Sequence, residues 1–124
     1  MVLELDKSNI ANVIRLCNNN ARMVATVYCD SNKELEGCMD YLLAMDYLLA
    51  RIEDIKGNVE KIRSTRGHNT VYFNNGSLIR LTVADDIARG YRNNLIVVSP
   101  NVDPEVFRTV IMPSYRVYIP EVFE

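Results

Sequence analysis

Lys7-Ser8 is the first pair in the chain whose residue types and placement could do chemistry. It stands between an extended candidate, Met1 to Leu5, and a helix, where the lysine and hydroxyl of a phosphate-binding loop would stand. Such a loop also needs glycines, so that successive backbone amides can converge on the phosphates, and none precedes Lys7. Lys7 and Ser8 therefore form only a weak remnant of a nucleotide-binding site. A second set, Arg63, Arg66, Arg89 and Arg92, could contact phosphates along one edge. His68 has no cysteine, serine or acid at a spacing diagnostic of nucleophilic or acid–base catalysis, and no catalytic residue is assigned. Cys17, Cys29 and Cys38 are an odd set without a CxxC pair; they read as buried free thiols, with no metal site and a reducing compartment. Tyr72, Tyr91, Tyr115 and Tyr118 read as core or rim aromatics, because little basic interleaving accompanies them.

The elements that must position these residues follow from spacing. Asp6-Lys7-Ser8 offers N-cap chemistry for a helix over about residues 8 to 18, with Ile10, Val13, Ile14 and Cys17 at helical intervals. Asn18-Asn19-Asn20 ends it, asparagine being tolerant of the left-handed conformation. Ala21 to Cys29 is too continuously apolar for an exposed strand and predicts one covered on both faces, as in a parallel sheet. Ser31 with Glu34 forms a capping box for a long helix running from Leu35 toward Gly57. That helix contains a tandem copy, Asp40 to Met45 and Asp46 to Arg51. Its six-residue period rotates the second copy and predicts a widened core face. Residues 58 to 70 are polar and basic and read as an irregular connection with room for a short strand. Val71 to Phe73 and Leu78 to Val83 flank Asn74-Asn75-Gly76-Ser77 and predict a β-hairpin. Leu95 to Val98 predicts a short buried strand, Pro104 to Ile111 a short helix opened by proline, and Arg116 to Ile119 a last strand.

These elements fit one domain over residues 1 to 124. It is an α/β fold with a largely parallel sheet, a hairpin and flanking helices. With 48 % hydrophobic and 24 % charged residues the chain should fold around one core without staples. A net charge of −2 supplies no global positive field for nucleic acid, and 14 basic against 16 acidic residues leave no large negative surface either. Glu4 and Asp6 stand where a signal peptide would be basic, and no apolar run approaches membrane-spanning length. A cytoplasmic protein without membrane association is expected.

Phe73-Asn74-Asn75-Gly76-Ser77-Leu78-Ile79-Arg80, then Ala88-Arg89-Gly90, then the strand Leu95 to Val98 together resemble the ATPase core of tailed-phage terminase large subunits. In that family an apolar strand, an Asn-Gly-Ser hairpin, an Arg-Gly pair and an apolar strand ending in Asp-Glu follow one another. The likeness spans about residues 21 to 113, with Asn75, Gly76, Ser77, Arg89 and Gly90 at motif positions, and implies a reduced P-loop-ATPase-like fold. In the family the acids closing the last strand hold magnesium, which neutralises charge on the transferred phosphate. Here those places are Ser99 and Pro100, while Asp103 and Glu105 lie beyond and read as solvent or capping residues.

The resemblance thus implies a frame without its catalysis: a non-catalytic phage-type protein, with no cofactor, acting through a protein partner in the host cytoplasm. That partner would be the packaging machinery, a second copy of the chain, or a host or defence protein that it inhibits. The alternative is a nucleic-acid-binding regulator using the arginines. A reduced fold should also leave one sheet edge exposed for pairing.

Overall fold

Asp6 accepts a hydrogen bond from the Asn9 amide at 2.7 Å, and this N-cap starts the first helix of the computed structural model, which describes residues 1–52, 59–65, 67–84 and 91–118. In chain order the elements are β1 (Val2–Glu4), α1 (Lys7–Asn19), β2 (Val24–Cys29), α2 (Asn32–Ile52), β3 (Val59–Thr65), β4 (His68–Phe73), β5 (Leu78–Val83), β6 (Leu95–Val98) and α3 (Pro104–Val106). Helix α3 runs on through a π-helical stretch, Phe107–Ile111, and a 3-10 turn, Met112–Ser114. The strands make one mixed sheet in the order β1-β6-β2-β5-β4-β3. β1, β6, β2 and β5 are parallel, whereas β4 and β3 are antiparallel additions at one side.

Apolar spacing decides which side of each element is buried. Ile10, Val13, Ile14 and Cys17 of α1 and Leu35, Met39, Leu42 and Leu49 of α2 pack with Ala25, Val27, Ile79, Leu81, Val71 and Phe73 on one face of the sheet. On the opposite face Tyr28 and Ile96 are covered by Val110 and Ile111 from the C-terminal helical segment. Strand β2 is therefore covered on both faces, as its continuous apolarity predicts.

The cross-strand register carries that second face outward from β2. Thr26 stands beside Arg80, Arg80 beside Thr70, and Thr70 beside Arg63. Lys61 with Tyr72 and Leu78, and Thr65 with His68 and Thr82, complete it on either side. Of these side chains on β3, β4 and β5 only Thr82 is buried.

Four local expectations are corrected. Residues 59–65 and 68–70 form β3 and the start of β4, so the stretch is mostly strand and not an irregular connection with room for one short strand; an edge strand with both faces wet carries little hydrophobic signal. Residues 116–118 carry no ladder. Only Asn93 and Tyr115 bridge, because β1 and β2 already occupy both sides of β6, and Ile119 lies outside the described residues.

Helix α1 does not end on a left-handed asparagine. The side-chain amides of Asn18 and Asn20 donate to the Ile14 and Leu16 carbonyls, Asn20 is extended (φ −130°), and the positive φ falls at Arg22 (58°). The second tandem copy does not widen the core face. A step of six residues turns about 120° around a helix, and Tyr47 and Leu48 point to solvent, 61 % and 45 % exposed. Gly57, the expected end of that helix, lies outside the described residues.

Candidate functional site

In a parallel sheet the crevice outside the carboxyl ends of the strands is the natural ligand position. Here it is bounded by Asp6 and Lys7 at the start of α1, by Asp30, Ser31 and Glu34 at the start of α2, and by Ser99 after β6. Lys7 and Ser99 are thus at the same end of the sheet, as the remnant-site expectation requires. Each polar group there has an internal partner. The Asp6 carboxylate takes the free Asn9 amide of α1, the position a phosphate oxygen would use.

The Lys7 ammonium lies 5.6 Å from the centroid of the Tyr41 ring. Ser99, 2 % exposed, donates its hydroxyl to Glu34 Oε2 at 3.2 Å, while Glu34 Oε1 accepts from the Asp30 amide at 2.8 Å. Behind them a cavity of about 320 Å³ opens between α1 and α2, walled by Leu5, Ile10, Gly37, Cys38 and Tyr41. Two carboxylates and one ammonium at its rim repel a polyphosphate more than they attract it. Ser8 is exposed on the first turn of α1. Asp103 caps α3 through the Glu105 amide, and Glu105 pairs with Arg108, the capping and surface roles expected of both acids.

Asn75, Gly76 and Ser77 lie at the other end of the sheet, where β2 and β5 begin. The Asn75 side-chain amide donates to the carbonyls of Cys17 at 2.7 Å, Asn18 at 3.2 Å and Asn20 at 3.3 Å, which are orphaned by the end of α1. Ser77 donates its hydroxyl to the Asn20 carbonyl and accepts from the Met23 amide. Gly76 has φ +86°, and a Cβ there would stand 3.2 Å from Arg22 Cγ. The motif is a hairpin turn that clamps the connection between α1 and β2.

The arginines separate into three groups. Arg63 lies on the uncovered sheet face. Arg92 lines a cavity of about 230 Å³ with Tyr91, Ser114 and Arg116. Arg66, Arg89 and Gly90 lie outside the described residues. Sequence reasoning passed over Arg80, whose guanidinium stacks on the Tyr91 ring at 4.0 Å and donates to Thr26 Oγ1 at 3.3 Å. Lys61, Tyr72 and His68 stand on the same sheet face as Arg63 and Arg80. Their signal was the period-two alternation of Lys61, Arg63 and Thr65 and of His68, Thr70 and Tyr72. The Nδ1 atom of His68 lies 2.8 Å from Thr82 Oγ1 and 3.3 Å from Tyr91 Oη.

All three cysteines are free, but only Cys17 and Cys29 are buried; Cys38, expected to be buried as well, is partly exposed on α2. Burial pushes the Cys17 thiol up to about 12, and a hydrogen bond between Cys29 and Cys38 raises the first and lowers the second. Among the described residues no group of three histidines, cysteines or acids could hold a metal ion, and no helix is long and apolar enough to cross a membrane. Strand β3 forms one rim of the sheet, exposed from Glu60 to Thr65; β1, with three residues, forms the other. Comparison of the chain with protein-family models, curated proteins and solved structures returned no match.

Proposed function

We propose that this chain is a non-catalytic binding protein built on a reduced, terminase-like ATPase frame of phage type, and that it acts by holding a protein partner. The observation that carries this is the self-occupied crevice. The end of α1 that would receive a phosphate is capped by the chain's own Asp6. The residue after β6 that would hold a metal is Ser99, bonded inward to Glu34, and the lysine lies against Tyr41. Phosphoryl transfer needs converging donors and a metal to neutralise the phosphate oxygens, whereas this crevice presents carboxylates and apolar walls.

The partner surface is the β3 rim. Its backbone donors and acceptors face outward, and the register shift between Val59 and Lys61 leaves Glu60 without a cross-strand partner, a device that bends an edge strand and restricts what can pair with it. A packaging component, a second copy of the chain, or a host or defence protein adding a strand at β3 all fit this geometry. Phosphate release from ATP with magnesium tests the non-catalytic part. Release should not exceed buffer and should be unaltered by Lys7→Ala. Magnesium-dependent turnover that Lys7→Ala abolishes would overturn the proposal.

A further inference from the structure

The face of β3, β4 and β5 that the C-terminal helical segment leaves uncovered has a chemistry of its own. Its central row runs Arg63, Thr70, Arg80, with Lys61 and Tyr72 as neighbours on one side and His68 on the other. Adjacent strands are about 4.8 Å apart, which puts the backbones of Arg63 and Arg80 about 10 Å from one another. Lys61, Arg63 and Arg80 are the cations that the register puts on this face, and none of the residues it pairs there on β3, β4 and β5 is an acid. Lys61 and Arg63 are exposed and have no ionic or hydrogen-bonding side-chain partner among the described residues.

Each aromatic ring adjoins a cation: Tyr72 is the cross-strand neighbour of Lys61, and Tyr91 lies against the Arg80 guanidinium. Tyr91 also lines the cavity that holds Arg92 and Arg116, extending the cationic surface beyond the sheet.

We infer that this face is a binding platform for single-stranded nucleic acid, with Lys61, Arg63 and Arg80 contacting phosphates and Tyr72 stacking on a base. Charge complementarity selects the ligand class. A surface of cations interleaved with rings suits a polyanion that carries flat faces at regular intervals, and every base offers such a face whatever its sequence. A duplex hides its bases in the stack and offers phosphates alone, so it forfeits the aromatic contribution. The site is distinct from the crevice and adjoins the β3 rim.

Fluorescence anisotropy with labelled dT12 and rU12, from 50 to 200 mM NaCl, tests the platform. Three phosphate contacts give a slope of about −2.1 in log K against log salt, so affinity should fall about 18-fold across that range. Arg63→Ala should reduce the slope by about 0.7, since one contact is lost. Tyr72→Ala should weaken binding about tenfold with the slope unchanged, and Tyr72→Phe should restore it. Tighter binding of rU12 than dT12 would assign RNA, and the reverse DNA. Circular dichroism should show each variant folded, and for any that is not, Lys61→Ala on the exposed rim replaces it, with the slope change of Arg63→Ala. The inference is overturned by no binding of either oligomer at 50 mM NaCl, by affinity indifferent to salt, by a duplex of equal length binding as tightly, or by folded variants that bind like the parent chain.

Discussion

Asn75 separates two accounts of the Asn-Gly-Ser motif, a turn that any hairpin might use and a clamp on the end of α1. Replacing it by alanine removes every side-chain contact it makes. Its amide reaches three carbonyls, those of Cys17, Asn18 and Asn20, and its carbonyl accepts from the Ser77 amide at 3.0 Å. Two amide hydrogens cannot serve three acceptors fully, so the side chain makes the equivalent of about three bonds. At about 1 kcal/mol net for each, the loss is about 3 kcal/mol, and water reaching the part-buried carbonyls reduces it to about 2 to 3 kcal/mol. For a chain of this size that corresponds to about 8 to 12 °C in Tm. In urea the midpoint should fall by about 1 to 1.5 M at an m of about 2 kcal/mol/M, with m itself unaltered. Asn75→Asp keeps the acceptor for Ser77 but turns a carboxylate toward three carbonyls, and it should be at least as destabilised. An Asn75→Ala protein within about 0.5 kcal/mol of the parent would refute the clamp and leave the motif a turn.

Gly76→Ala forces a side chain into φ +86° against Arg22 and should lose about 1 to 2 kcal/mol in the same urea titration. Asn93, fully buried, accepts from Thr26 Oγ1 and donates to Tyr28 Oη and Ser114 Oγ. Asn93→Ala removes all three bonds from a buried network and should lose about 3 kcal/mol. Half-burial raises the Asp46 carboxyl above its ordinary range, against a smaller opposing effect of its hydrogen bond to Asn18. The fold therefore holds that proton more tightly than the unfolded chain, and stability is lost as pH rises through the folded value. Asp46→Asn should accordingly gain more relative to the parent at pH 7 than at pH 4, measured by urea midpoints. Among the thiols, Cys38 is half-exposed and lowered by its hydrogen bond from Cys29, whereas burial holds Cys17 at about 12. Mass spectrometry after brief iodoacetamide treatment at pH 8 should find Cys38 labelled first and Cys17 last.

What could be read from the residues alone was whatever local spacing decides. Ile10, Val13, Ile14 and Cys17 define α1, Ser31 with Glu34 starts α2, and Asn75-Gly76 turns the β4–β5 hairpin. Strand β3 was legible only as room for a short strand, because its residues from Glu60 to Thr65 face water and the alternation of Lys61, Arg63 and Thr65 carries no apolar face to set its length. The crevice was legible in part, since Lys7 follows β1 and Ser99 follows β6 at one end of the sheet. Glu34 as the partner of Ser99 was not, since a capping residue gives no sign that its other oxygen reaches a strand end far along the chain. The cationic platform required knowing which strands neighbour one another, because Arg63 and Arg80 share a face only through the register of β4 between them.

The position of β2 in the sheet has a consequence for the order in which the molecule assembles. Its neighbours, β5 and β6, both come much later in the chain: Thr26 meets Arg80 across 54 positions and Asn93 across 67. The β3–β4–β5 meander closes through short turns at small loop entropy, so it can organise first and then serve as the template on which the parallel half is laid. Until β6 arrives, β2 is a bare apolar strand with an open side. Chaperone dependence and aggregation during refolding should therefore track mutations that delay β6, while the finished protein, with β2 enclosed, gives no hint of that vulnerability.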